Sequence, residues 1–136
     1  MVKHLEKLRE RGQSITEFAL ILPVLLIVMA GLLDLGRLYY SYVAVTDAAG
    51  EGAAYAAIHP NDADEIVARA QDATGGLITI DEDMVEVYTP PDMPAQAIAV
   101  AVSYEFTLVT PFVNVLLPDG LTLRAVAIEL ILSGEL

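Results

Sequence analysis

The chain contains neither cysteine nor tryptophan, and only seven of its 136 residues are lysine or arginine. The absence of cysteine excludes disulfide bonds, thiolate metal ligands and cysteine nucleophiles. A domain without disulfides must be held together by the burial of apolar side chains, and 55% of the residues are hydrophobic.

The few basic side chains are placed unevenly. Residues 1–12 carry four of the seven, against two glutamates, whereas residues 13–136 carry three against seventeen Asp and Glu. Nucleic-acid binding needs basic patches that neutralise phosphates. We therefore expect no nucleic-acid partner for so acidic a body.

Groups that perform catalysis are also scarce. The two histidines, His4 and His59, are far apart, and no phosphate-binding loop or G-x-S-x-G motif occurs. We predict that the chain is not an enzyme and uses no cofactor. Asp81 and Asp83 are weak candidates for binding a hard cation such as calcium, but their spacing matches no EF-hand loop, so no metal site is predicted.

One long stretch has no charge at all. Phe18–Leu33 comprises 16 uncharged residues between Glu17 and Asp34. As a helix it spans roughly 24 Å, slightly less than a ~30 Å hydrocarbon core, and its neighbours bring it near the required length. A buried core helix and a signal peptide are the alternatives. Nothing else in the chain is large enough to bury the helix, and no clean A-x-A site follows it. We predict a transmembrane helix at about residues 15–35, with the basic N-terminus in the cytoplasm and an exported body.

The same helix is expected to run from residue 13 to about residue 58. Pro23 should bend it, because proline removes a backbone hydrogen bond. Asp34 and Arg37 lie three residues apart and are predicted to form a pair, within the helix or between subunits. The tyrosines that follow suit a membrane–water interface; they are Tyr39, Tyr40 and Tyr42.

Small residues recur every four positions in the last part of this helix. One row consists of Ala44, Ala48, Gly52 and Ala56, and a second of Ala49, Ala53 and Ala57. Such rows make a flat face that another backbone can approach closely. The partner is either the protein's own sheet or a neighbouring copy, and the sequence alone leaves both open.

The second half of the chain predicts a short helix followed by three strands. Asn61 is expected to cap the helix, and Gly75-Gly76 to end it. The predicted strands are Met84–Tyr88, Ile98–Leu108 and Leu121–Leu132. The prediction is an α+β fold, with a three-stranded antiparallel sheet packed on the exported part of the long helix. The apolar loop 110–117 is either a contact surface or folds under the sheet edge.

The N-terminal motif resembles the processing site of type IV prepilins. A basic leader ends at Gly12, Gln13 follows as the first mature residue, and Glu17 is the fifth. Further stretches are similar to the TadE-like proteins of tight-adherence (Tad or Flp) pilus systems. These stretches read E-F-A-L-I-L-P-V-L-L, D-L-G-R-L-Y-Y, V-S-Y-E-F-T-L-V-T-P-F and L-T-L-R-A-V-A.

This resemblance implies a pilin-like structural subunit, minor or filament-forming. Its parts would be a leader (residues 1–12), a long helix (13–58) and an exported pilin-like domain (59–136). A prepilin peptidase would cut after Gly12, and Glu17 would pair with the freed amino group of Gln13. The implied partners are that peptidase, other pilin subunits, the inner-membrane assembly platform and, before assembly, membrane lipid. The implied location is the inner membrane and later the cell surface. The alternative is a single-pass membrane protein with an exported binding domain.

Overall fold

The computed structural model describes residues 2–94, 96–111 and 120–132, with side chains from residue 13 onward. By its internal contacts the chain forms two compact units. The first comprises residues 1–36 and 108–118, and the second comprises residues 37–107 and 119–136. The predicted apolar loop lies mostly outside the described residues, which include only Thr110 and Pro111 of it.

Helix α1 extends over Val2–Ala56 and is longer at its start than the sequence predicts. It continues through Gly12, because one glycine costs only about 1 kcal/mol in a helix and good helix formers surround it. Pro23 lies inside the helix, which is assigned without a break on either side of it. A turn follows Ala56, ahead of His59 and Pro60.

The first unit contains the apolar part of α1, which is open to its surroundings. From Gln13 onward, α1 is the one helix in the described part of the chain that is long and apolar enough to cross a membrane. Only 6% of its most apolar 18-residue window is buried. A core helix would be mostly buried, so this segment is not the core helix of its own chain. Its composition and position indicate a single-pass membrane anchor.

Helix α2, Ala63–Ala73, belongs to the second unit. The side chain of Asp62, not that of Asn61, caps it by accepting a hydrogen bond from the backbone N–H of Glu65 at 3.4 Å. The predicted cap is therefore wrong by one residue. Gly75 and Gly76 have φ angles of 60° and 75°, the left-handed conformation that ends helices, as the sequence predicts.

Three strands form one antiparallel sheet in the order β1-β2-β3, which confirms the predicted fold class. The strands are β1 (Val85–Tyr88), β2 (Ala97–Phe106) and β3 (Leu121–Leu130). In the register, Val100 of β2 faces Val87 on one side and Ala127 on the other. Gly120 precedes β3 with a φ of 71°, and a Cβ there would lie 2.9 Å from the Phe106 carbonyl oxygen.

The core of the second unit lies between the sheet and the two helices. Its fully buried centre joins Val45 of α1, Ile66 of α2 and Val100 and Val102 of β2. On the opposite face of β2 only the alanines of its first half, Ala97, Ala99 and Ala101, are buried, while Glu105 is exposed. Ala99 lies between the larger side chains of Tyr88 and Ile128 in the register. Alternation thus gives the core-facing side of β2 correctly. The small alanines of the other face are shielded by larger neighbours on the flanking strands.

Candidate functional site

The predicted processing segment lies on an uninterrupted stretch of α1. Its backbone is helical from Gly12 through Glu17. The side-chain Nε2 of Gln13 donates a hydrogen bond to Oε1 of Glu17 at 3.0 Å. These two residues are four apart, so their side chains meet on the same helix face. The carboxylate of Glu17 therefore has a hydrogen-bond donor from the residue predicted to become the mature N-terminus.

A buried carboxylate marks the end of the apolar stretch in the first unit. Asp34 is only 3% exposed, although it follows sixteen uncharged residues. Its oxygens accept hydrogen bonds from the backbone N–H of Val109, at 3.0 and 3.1 Å, and from that of Thr110, at 2.7 Å. The hydroxyl of Thr110 donates to the same carboxylate at 2.6 Å. Several donors to one carboxylate offset its removal from water.

This arrangement ties two distant parts of the sequence together. Val109 and Thr110 lie 75 and 76 residues beyond Asp34, and both belong to the first unit with it. We call Asp34, Val109 and Thr110 the carboxylate clasp. It holds the chain that follows β2 against α1, directly after the apolar stretch.

Arg37, the predicted partner of Asp34, contacts other groups in the second unit. Its Nη1 lies 3.5 Å from the carbonyl oxygen of Thr107, at the long end of hydrogen-bond distance. Its Cζ lies 5.2 Å from the centre of the Phe106 ring, a cation–π distance. Whether Asp34 and Arg37 also pair, within α1 or between subunits, stays a prediction.

The rows of small residues pack within their own chain. All seven positions are buried; they are Ala44, Ala48, Ala49, Gly52, Ala53, Ala56 and Ala57. A Cβ added at Gly52 would meet Val100 Cγ1 at 3.1 Å and Ala70 Cβ at 3.5 Å. The partner that the sequence leaves open is thus the protein's own sheet and α2, which use the close approach that small residues permit.

A polar cluster lies at the connection between α1 and α2. The rings of Tyr55 and His59 stack with centres 4.6 Å apart, and the Tyr55 hydroxyl donates to Asp62 Oδ2 at 3.3 Å. Arg69 lies over the Tyr55 ring and is paired with Glu65 at 3.1 Å. Desolvation, the charge of Asp62, the hydrogen bond to Asp62 and the charge of Glu65 raise the pKa of the Tyr55 phenol above its ordinary value. The phenol stays protonated at neutral pH and remains a donor to the residue that caps α2.

The weak cation candidates are placed on the surface. Asp81 and Asp83 are exposed and lie at the 3-10 turn Glu82–Met84 before β1. The backbone carbonyl of Asp81 accepts a hydrogen bond from the N–H of Met84. Within the described ranges, no three His, Asp or Glu side chains come together as a metal site.

Sequence reasoning missed two of these features. It named Arg37 as a partner of Asp34 but missed Val109 and Thr110, because spacing reveals only neighbours along the helix. The groups that donate hydrogen bonds to Asp34 lie in the stretch L-V-T-P. The threonine hydroxyl next to the proline is the signal in the sequence that could have indicated them. Sequence reasoning likewise did not connect His59 with Tyr55 and Asp62.

Comparison with known proteins gives a match for one part of the chain, which lies within helix α1. No curated protein and no solved structure matches the chain. A model of the TadE-like protein family matches residues 12–54. The match begins at Gly12, includes Glu17 and Asp34, and ends two residues before the end of α1. It confirms the resemblance read from the sequence: residues 12–54 are similar to the TadE-like protein family.

Proposed function

We propose that the chain is a structural subunit of a Tad-type type IV pilus, a minor pilin or pseudopilin that functions in pilus assembly and adhesion. One observation carries the proposal. The family match begins at Gly12, Glu17 follows five residues later, and the helix that continues from them is apolar and exposed. An exposed apolar helix requires lipid or other apolar helices around it, and a pilin uses first one and then the other.

The proposed life of the protein has two stages. Before processing, α1 anchors the chain in the inner membrane, with the basic residues before Gly12 in the cytoplasm. A prepilin peptidase then cuts between Gly12 and Gln13. The mature subunit leaves the membrane when α1 packs among the helices of other subunits. Such packing places Glu17 in apolar surroundings, where its charge has to be compensated.

We also propose that this role is non-catalytic. The polar side chains at the candidate site hydrogen-bond within the fold: Glu17 to Gln13, and Asp34 to Val109 and Thr110. Such contacts position chain segments, which is what an assembly subunit requires.

Processing can be tested by intact mass spectrometry. The full chain is expressed with and without a prepilin peptidase, and we expect a protein that begins at Gln13 only when the peptidase is present. Gly12→Val should prevent the cut, because a β-branched side chain enlarges the residue at the cleaved bond. Gly31→Val is the matched control, since a Cβ at Gly31 meets nothing within 4 Å.

The result also separates the proposal from its alternative. A chain that keeps all 136 residues in the presence of an active peptidase contradicts a pilin role. That outcome favours a single-pass membrane protein with an exported binding domain, which needs no cleavage.

A further inference from the structure

The residue at the proposed new N-terminus is a glutamine whose side chain is already in contact with Glu17. Gln13 Nε2 donates to Glu17 Oε1 at 3.0 Å, and both side chains are exposed. We propose that, after processing, Gln13 cyclises to pyroglutamate with Glu17 as the proton-transfer group. The inference rests on the proposed cut after Gly12, because only that cut gives Gln13 a free α-amine. The mature helix would then begin with a neutral lactam instead of an ammonium group.

The reaction is an intramolecular acyl transfer. The α-nitrogen of Gln13 attacks its own side-chain carbon Cδ, so that the Nα–Cδ bond forms. The Cδ–Nε2 bond breaks, and Nε2 leaves as ammonia. Both reacting groups belong to one residue and close a five-membered ring, so no encounter of two molecules is needed. The step needs no oxidant, cofactor or second substrate.

Proton transfer is where Glu17 enters. The attacking amine must be neutral, and α-amino groups have pKa values of about 7.7–8.0, so a fraction is neutral near pH 7. One proton has to move from the α-nitrogen to Nε2 before ammonia can leave. The carboxylate of Glu17 is hydrogen-bonded to Nε2. It is therefore placed to deliver a proton to the leaving nitrogen, and we also assign to it the acceptance of the first proton from the α-nitrogen.

Cyclisation changes how the negative charge of the Glu17 carboxylate is compensated. The resemblance implies that Glu17 pairs with the ammonium group of Gln13. In the structure, a neutral amide of Gln13 already occupies Oε1 of Glu17, so the carboxylate does not depend on the cation. After cyclisation the ring N–H remains as one donor, but the positive charge is gone. In an apolar helix bundle Glu17 then has to take up a proton or meet a cation of another subunit.

The sequence makes the modification easy to detect. The only lysines of the chain are Lys3 and Lys7, both before the cut, so residues 13–136 contain no lysine. The α-amine of Gln13 is therefore the single amine of the processed protein. A cyclised protein has none.

The experiment treats membranes that contain the full chain and a prepilin peptidase with formaldehyde and a borohydride at neutral pH, before any acid is added. Intact mass is then measured. We expect a chain that begins at Gln13, is lighter by one ammonia and carries no label. A processed chain that takes up the label, whether its amine was free or singly methylated, overturns the cyclisation and leaves the pilin proposal standing. An unprocessed, labelled chain overturns the pilin proposal itself.

Two variants test the roles of the residues. Gln13→Glu keeps the shape of the side chain but has no ammonia to lose, so its processed form should take up the label. Glu17→Gln should lower the cyclised fraction of the processed chain at a fixed time after peptidase expression begins. An unchanged fraction in Glu17→Gln would overturn proton transfer by Glu17 while leaving the cyclisation of Gln13 in place.

Discussion

Asp34 illustrates how a single side chain at the edge of an apolar stretch is retained in a buried position. Its carboxylate is compensated by three donor groups, from the backbone of Val109 and from the backbone and hydroxyl of Thr110. Hydrogen bonds to a charged group contribute about 1.5–3 kcal/mol each. The carboxylate clasp therefore contributes to holding the segment after β2 on α1 within the first unit.

Replacing Asp34 by asparagine should loosen this clasp. Asn keeps the size of the side chain but retains one acceptor oxygen, so we expect a loss of about 1–3 kcal/mol of local stability. Hydrogen exchange of the full chain in detergent would then show faster exchange at the amides of Val109 and Thr110. Asp47→Asn is the matched control, because Asp47 is an exposed acid of the same helix. Equal exchange in both variants would mean that the clasp does not hold the segment.

Two glycines of α1 separate helix propensity from close packing. Gly50 is exposed, with nothing within 4 Å of an added Cβ, whereas Gly52 faces Val100 Cγ1 at 3.1 Å. Gly50→Ala should stabilise the protein by about 0.5–1 kcal/mol, because alanine is the better helix former. Gly52→Ala should lose most of that gain to the tight contact, and Gly52→Leu should cost about 1–3 kcal/mol through overpacking. Denaturant unfolding of the full chain, followed by near-ultraviolet circular dichroism of its tyrosines, measures the difference. A gain in Gly52→Ala equal to that in Gly50→Ala would contradict the packing role.

At the scale of the elements, one carboxylate makes contacts to both helices at the connection between α1 and α2. Asp62 caps α2 at the Glu65 N–H and accepts the Tyr55 hydroxyl from α1. Asp62, the last residue of the connection, thus links α2 to α1 through hydrogen bonds. The sequence suggested Asn61 instead because Asn and Asp are about equally good N-cap residues, and only the path of the chain selects between neighbours.

This assignment predicts opposite outcomes for adjacent substitutions. Asp62→Ala should cost about 1 kcal/mol of unfolding free energy, the usual loss for a removed N-cap. Asn61→Ala should have little effect, because Asn61 is exposed and precedes the cap. Unfolding of both variants under identical conditions decides the point. A larger loss in Asn61→Ala would move the start of α2 to the residue that the sequence first suggested.

At the scale of the whole molecule, charge and apolar surface are distributed along the chain in a fixed order. The basic residues lie before Gly12, the uncharged stretch follows Glu17, and the acidic body comes last. The exposed apolar stretch of α1 between these two charged parts indicates a single-pass membrane anchor. The proposed orientation of the anchor, with its start in the cytoplasm, rests on the positive charges before Gly12.

The absence of cysteine allows this orientation to be measured with single-cysteine variants. Thr122→Cys places one thiol at an exposed position of β3, and Ser14→Cys places one at the start of the anchor. A membrane-impermeant maleimide applied from the exported side of intact inner membranes should label Thr122→Cys. It should label Ser14→Cys only after the membrane is permeabilised. The reverse pattern would contradict the proposed orientation.

The sequence by itself determined the features that depend on neighbours along the chain. The uncharged stretch Phe18–Leu33 predicts α1, the alternation in residues 98–108 predicts β2, and Gly75-Gly76 ends α2. Spacing is enough here, because helix and strand periodicity are local properties. The rows of small residues in α1 likewise predict a close contact, although they do not show which element packs there.

Only the tertiary structure decided which distant groups meet. It packed the small rows of α1 against Val100 and Ala70, and it gave Asp34 donors 75 and 76 residues away. It also placed β2 at the centre of the sheet, between β1 and β3. The physical reason is that the chemistry of a side chain determines the kind of group that can pack against it: a close backbone for a small residue, a hydrogen-bond donor for a buried carboxylate. Which distant residue provides that group depends on the path of the folded chain.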